Sequence, residues 1–303
     1  MFKFRDYQKR IVRQGSKILK NHNLLYLTME VRTGKTFTSL GICNKIKANN
    51  VLFITKKKAI SSIEDDFKTL KPNYKITVIN YESLHKISTD QHFDVLILDE
   101  AHSIGAYPKK NKRCLQIQSL ILIHDPKVIL LSGTPTPESF SQMYHQVCSI
   151  PGNPFSDYKN FYQFCKHHVD VKQRRINGMF MNDYSRGRES ILKEMKPYTI
   201  SFTQKEAGFV VDTNEEVLWV DLEDSTKEMI KTLNKDRILK GSEEVVLADT
   251  PVKLMTKTHQ LCSGTVKFES GKSQVVDYSK ANFIHKKFEI NESFIKFNKN
   301  FHL

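Results

Sequence analysis

The first 150 positions alternate two kinds of hydrophobic pattern. Tyr7, Ile11, Gly15, Ile18 and Leu19 recur at helical spacing, and the run 24–29 that follows is apolar almost without a break, as a short buried strand is. After a glycine-containing turn, a helix is expected over 36–48, with Phe37, Leu40, Ile42 and Ile46 as its apolar positions. Strands are expected over 51–55, 75–79, 94–98 and 127–131, with helices over 59–70 and 115–123 between them. Near-continuous aliphatic and β-branched strands separated by helices imply a parallel sheet covered on both faces. The expected fold class is therefore α/β, a doubly wound parallel sheet.

Past Pro151 the texture changes. The run Pro151-Gly152-Asn153-Pro154 breaks regularity, and 155–200 is polar, aromatic and basic with no strand signal, so a mainly helical extension is expected. A strand is expected over 217–220, with Trp219 in the core. The acidic stretch 221–240 reads as an amphipathic helix with Met229, Ile230 and Leu233 facing inward, and 265–268 with 274–277 reads as a hairpin around Ser270-Gly271-Lys272.

Composition narrows the class. A chain of 303 residues with 39% hydrophobic side chains can bury one large core or two modest ones, which excludes collagen-like and disordered classes. The longest aliphatic runs, 120–123 and 128–131, are far too short to span a bilayer, so no membrane partner is expected. The five cysteines are scattered and never form a C-x-x-C pair, which argues against a disulfide framework and a zinc site and for a reducing, cytoplasmic compartment. The net charge of +14 points to a polyanionic partner, because Lys and Arg that neutralise phosphates release counterions. That charge is regional: residues 1–50 carry 11 basic and 2 acidic side chains, whereas 201–250 carry 6 and 12.

Three motifs at strand ends carry the chemistry. Thr33-Gly34-Lys35-Thr36 lies between an expected strand and helix. In a phosphate-binding loop, backbone N–H groups and a helix N-terminus point at phosphate oxygens, a Lys charges the β and γ phosphates, and a Thr hydroxyl ligates Mg²⁺. The complete pattern has a further glycine five residues before Gly34, where this chain has Met29. The strand ending at Leu98 runs into Asp99-Glu100, two carboxylates at the edge of a parallel sheet where ligands bind. Asp99 suits Mg²⁺ and Glu100 suits the attacking water. Ser132-Gly133-Thr134-Pro135 ends the next strand with hydroxyls suited to sensing a γ-phosphate. Lys109, Lys110, Lys112 and Arg113, with Tyr107 beside them, form a basic cluster suited to nucleic-acid phosphates. Gly271-Lys272-Ser273 imitates a phosphate loop but sits in a hairpin turn. His167, His168 and His22 lack partners at metal-ligand spacing and read as surface residues.

In order and spacing these motifs resemble the first motor lobe of superfamily 2 DNA helicases and translocases, especially the Swi/Snf-like branch and phage-type helicases with a DEAH motif. The resemblance covers residues 1 to about 150. Arg5-Asp6-Tyr7-Gln8 resembles the adenine-reading motif, 30–36 motif I, Asp99-Glu100-Ala101-His102 motif II and Ser132-Gly133-Thr134-Pro135 motif III. Arg32 stands where many family members have glycine. The resemblance implies a RecA-like lobe that binds ATP through Arg5, Gln8, Arg32, Thr33, Gly34, Lys35 and Thr36, with Mg²⁺ on Thr36 and Asp99. Lys35, Asp99 and Glu100 would serve catalysis, and His102, Ser132, Gly133 and Thr134 would couple nucleotide state to DNA. The intervening segments 51–57 and 80–84 resemble DNA-contacting motifs, which adds Lys56, Lys57 and Tyr81 to the DNA-binding candidates.

The implied organisation is an ATP-binding lobe over 1–150, a helical extension over 151–208, and a linker with an incomplete second α/β lobe over 209–303. Segment 260–265 resembles the lead-in to that second lobe and 279–284 its opening helix; after Arg237 every basic residue of the Lys/Arg kind is lysine. The expectation is a truncated or split motor that turns over slowly unless a separately encoded second lobe supplies arginines. The alternatives are a catalytically weak nucleic-acid-binding fragment and the motor subunit of a restriction or recombination complex.

Overall fold

A computed structural model describes residues 3–88, 91–176, 179–209, 216–241 and 244–288. Two compact units divide the chain, Met1–Val211 and Asp212–Leu303. In the first, α1 spans Asp6–His22, β1 Leu24–Met29, α2 Lys35–Lys45, β2 Asn50–Thr55, α3 Ile60–Leu70, β3 Lys75–Asn80, β4 Val95–Asp99, α4 Lys112–His124 and β5 Lys127–Leu131. Beyond these lie α5 Met143–Val147, α6 Phe161–His168, β6 Lys172–Ile176, β7 Met179–Asp183, α7 Ser190–Met195 and β8 Thr199–Phe202. The six main strands run in the order β3-β2-β4-β5-β1-β8, and every pairing among them is parallel.

Side-chain alternation explains why the sheet needs cover on both faces. Leu25, Phe53, Ile97 and Ile129 stand in register across four strands and face one apolar layer, shared with Ile11 and Leu19 of α1 and Leu40 of α2. The adjacent row, Leu24, Leu52, Leu96 and Val128, faces the other layer with Ile117 and Ile121 of α4. Burying each such side chain contributes about 1.5–3 kcal/mol, so both rows favour helices on both sides. Close approach of α1 to α2 depends on Gly15, where a Cβ would stand 2.8 Å from Ile42 Cδ1.

Segment 155–200 departs from the sequence expectation. It contains α6 and α7, but also the antiparallel pair β6 and β7 and the first half of β8. The ladder of β6 and β7 closes at Ile176↔Met179, and the sequence between them reads Asn-Gly, a strong hairpin signal. β8, four residues long, carries too little periodicity to read as a strand, yet it pairs with β1 from Tyr26↔Thr199 to Met29↔Phe202 and so belongs to the first sheet.

The second unit holds α8 Asp224–Asp236, β9 Ile238–Lys240, β10 Val245–Leu247, α9 Pro251–Cys262, β11 Thr265–Lys267, β12 Ser273–Val275 and α10 Ser279–Lys287. Its strands form two antiparallel ribbons, β9 with β10 and the expected hairpin of β11 with β12. Leu233 is buried as expected, with Met229 and Ile230 packed beside it. The expected strand over 217–220 is absent, and Trp219 is 88% exposed rather than in the core. Apolar identity alone gave no partner surface to that short run. Among the described residues no helix is long and apolar enough to cross a membrane.

Candidate active site

Parallel strands deliver their C-terminal ends to one edge of the sheet, and the candidate residues collect there. Between β1 and α2 the loop turns through two left-handed residues, Arg32 (φ 63°) and Gly34 (φ 82°). Glycine adopts this conformation freely, whereas Arg32 pays a steric cost to do so. Gly34 has a second requirement, because a Cβ there would collide with Gln8 Nε2. Thr33 is buried and its hydroxyl donates to the Glu30 carbonyl at 2.6 Å, bracing the loop. α2 begins at Lys35, with the half-buried Thr36 as its second residue.

Lys35 Nζ donates to the Met29 carbonyl at 2.9 Å. Burial lowers its pKa, while the charges of Glu100 and Asp99 act to raise it, which places all three groups in one electrostatic site. Gly133 adjoins the same ammonium: its Cβ position lies 3.6 Å from Lys35 Nζ, at ordinary van der Waals distance. On β4, burial pushes the Asp99 carboxyl up, partly offset by a 2.7 Å hydrogen bond from Thr55 Oγ1 to Asp99 Oδ2. Glu100 leaves the strand in a left-handed conformation (φ 51°). Its carboxylate lies 3.4 Å from His102 Nδ1 and 3.8 Å from Lys56 Nζ. His102 Nδ1 also meets Ser132 Oγ at 3.1 Å, and Ser132 Oγ accepts from the Thr134 backbone N–H at 3.1 Å. The motif II and motif III candidates are therefore one connected polar network.

Residues missed in the sequence support this network. Besides Thr55, Tyr26 is fully buried and its hydroxyl donates to Gln146 Oε1 at 2.6 Å, while Gln146 Nε2 donates to the Pro135 carbonyl at 2.8 Å. This ties the segment after Ser132 to β1 and α5. A polar atom on an otherwise apolar strand was the available signal for Tyr26 and Thr55. Tyr7 donates to the Thr33 carbonyl at 3.1 Å and stacks on Phe202 with centroids 4.5 Å apart. Gln8 accepts from the Arg5 backbone N–H at 2.9 Å, which fixes its side chain against Gly34, and the Arg5 guanidinium lies over Phe209.

The nucleic-acid candidates separate into two groups. Lys56, Lys57, Lys109 and Lys112 are exposed. Tyr81 is instead buried; its hydroxyl donates to the Asp99 carbonyl at 2.7 Å, so it braces β4 and presents no free ring face. Arg113 lies over that ring and pairs with Glu82 at 2.5 Å, and Lys110 donates to Gln118 Oε1 at 2.6 Å. His168 also departs from expectation: it is buried between Tyr158 and Ser190, each 2.9 Å away. Among the described residues no cluster of three or more His, Cys, Asp or Glu forms a metal site. Thr36 and Asp99 each bear oxygen of the kind Mg²⁺ takes, and that ion retains waters and phosphate oxygens rather than a full protein cage.

A parallel α/β sheet with a lysine-bearing loop after β1 and a carboxylate pair at the end of β4 defines a RecA-like α/β fold. More specifically, the chain belongs to the SNF2-related domain family, whose model matches residues 42–266. A second family model, the res subunit of type III restriction enzymes, matches residues 1–75 and so includes the loop at Lys35. No curated protein matches the chain. Among solved structures it is similar to the SWI2/SNF2 ATPase core of Sulfolobus solfataricus in complex with dsDNA, at 13% identity and a TM-score of 0.53. That alignment covers 86% of this chain and 58% of the other, so this chain spans little more than half the length of that relative. A nuclease-deletion mutant of the type ISP restriction-modification enzyme LlaGI with a DNA substrate mimic aligns over 45% of this chain and 18% of its own, at 18% identity and a TM-score of 0.32.

Proposed function

We propose that this chain is the ATP-binding part of a DNA translocase or helicase motor, which couples ATP hydrolysis to movement on or remodelling of DNA. The observation that carries the reading is the meeting of Lys35, Asp99, Glu100 and the His102–Ser132 contact at one sheet edge. Membership of the SNF2-related family and the DNA-bound Sulfolobus relative support DNA as the polymer.

In this reading the loop 32–36 cradles the phosphates and Gln8 contacts the adenine. Lys35 bears on the β and γ phosphates, while Thr36 and Asp99 hold Mg²⁺. Held there, Mg²⁺ would supply positive charge against the phosphate oxygens of the nucleotide. Glu100 orients water for attack on the γ-phosphorus, which releases ADP and phosphate. His102, Ser132, Gly133 and Thr134 carry the loss of phosphate toward the segment held by Gln146. Lys56, Lys57, Lys109 and Lys112 meet DNA phosphates, with Lys110 and Arg113 available on exchange of their present partners. The unit beyond Val211 leads into a second motor lobe, encoded with this one or separately, and the motor works in the cytoplasm.

The test is ATP turnover with and without duplex DNA. DNA-stimulated hydrolysis is expected to fall about 10²-fold or more in Lys35→Ala and in Glu100→Gln. Hydrolysis that survives both substitutions would overturn the assignment, and ATP binding without hydrolysis, even with a second lobe added, would favour an inert nucleic-acid-binding module.

A further inference from the structure

Two neighbouring strands end in matched pairs at the centre of the site. The ladder between β2 and β4 reaches Ile54↔Leu98, so Thr55, the last residue of β2, and Lys56 after it follow that pair on one strand as Asp99, the last of β4, and Glu100 follow it on the other. Each carboxylate receives one partner from β2 or the residue after it: Thr55 Oγ1 for Asp99 at 2.7 Å and Lys56 Nζ for Glu100 at 3.8 Å. The other Glu100 oxygen faces His102 Nδ1 at 3.4 Å. The Lys56 side chain is 65% exposed, and Lys57 and Lys58 beside it are also exposed. One ammonium thus faces both the water-orienting carboxylate and the solvent at a basic surface.

We infer that Lys56 is a positioning residue for Glu100: without nucleic acid its ammonium restrains the carboxylate, and a backbone phosphate of bound nucleic acid takes the ammonium over and frees Glu100 for water. This rests on the motor reading above and adds the link between polymer binding and hydrolysis. Physically the exchange is easy. An exposed ion pair is weak in water, and a lysine that moves to a nucleic-acid phosphate also releases a counterion. Linkage makes the effect reciprocal: if phosphate competes with Glu100 for Lys56, removal of the Glu100 charge must tighten nucleic-acid binding by the same factor.

The decisive measurement is a double-mutant cycle on duplex DNA affinity without nucleotide, by fluorescence anisotropy across salt concentrations. Glu100→Gln is expected to tighten binding about two- to fivefold, the range an exposed pair supplies, and to do nothing in a Lys56→Met background. In turnover assays, Lys56→Met is expected to raise the DNA-free kcat about two- to fivefold with KM for ATP unchanged. Additive effects in the cycle, or a DNA-free kcat that does not rise in Lys56→Met, would overturn the inference while DNA-stimulated hydrolysis by the unmodified chain left the motor reading standing. No hydrolysis by the unmodified chain under any condition would overturn both.

Discussion

In the first unit the parallel sheet has an apolar layer on each face, whereas the buried cluster of the second, Leu233, Val246, Ala248, Leu261 and Val266, lies among helices and two short antiparallel ribbons. Their charged groups differ accordingly. Asp99 and Lys35 stand at the end of the thick sheet, where burial shifts both pKa values and the neighbouring charges matter. Asp224 and Glu228 of α8 instead pair with Lys227 and Lys231 one turn away on an exposed helix face. Such surface pairs contribute at most about 1 kcal/mol each. Chemistry of a precise geometry is thus found where a rigid platform holds it.

Core truncation tests that contrast with the largest expected effect. Leu98→Ala removes a fully buried side chain between two neighbouring strands, and a stability loss of about 2–5 kcal/mol is expected in the first unit's denaturant transition. Because Asp99 follows Leu98, nucleotide affinity should fall as well. Leu261→Ala is expected to cost about 2 kcal/mol, near the low end, because a small core collapses more readily around a cavity. Nucleotide affinity should not change, and equal losses at the two sites with equal effects on binding would erase the distinction between the two units.

A smaller effect concerns protonation. Burial raises the Asp99 pKa and the Thr55 hydrogen bond lowers it, so Thr55→Val should raise it further. Cation binding needs the ionised carboxylate; the acid limb of the ATPase pH profile should therefore move to higher pH. The stability sign is consistent with this. With a folded pKa above the ordinary value near 3.9, Asp99 favours the folded state most below that value, and loses this contribution as pH rises through the folded pKa. A pH–rate profile identical to that of the unmodified chain would show that the Thr55 bond does not govern Asp99. The smallest effect is expected for Trp219→Ala in the second unit, within about 0.5 kcal/mol by denaturant unfolding, because that ring is exposed.

How much of this was legible in the sequence varies by element. The strands ending at Met29, Thr55, Asp99 and Leu131 could be read because runs buried on both faces leave an unmistakable apolar signal. Lys35, Asp99, Glu100 and Ser132 could be read because each follows or adjoins such a run. β8 could not, since four residues carry little periodicity and its place beside β1 is fixed by long-range pairing. Tyr81 was misjudged for a related reason: an aromatic next to a strand end looks the same in sequence whether it faces solvent or, as here, turns inward to the Asp99 carbonyl.

The sequence alone determined the alternation of strands and helices, the direction of the sheet and the kinds of chemical group at its edge, since all three follow from local pattern and spacing. Only the tertiary structure decided which of those groups meet. Insertion of β4 and β5 between β1 and β2 sets Asp99 and Glu100 beside Thr55 and Lys56, and brings His102 onto Ser132. Such contacts depend on strand order and register between residues 30 to 44 positions apart, and no local pattern encodes them.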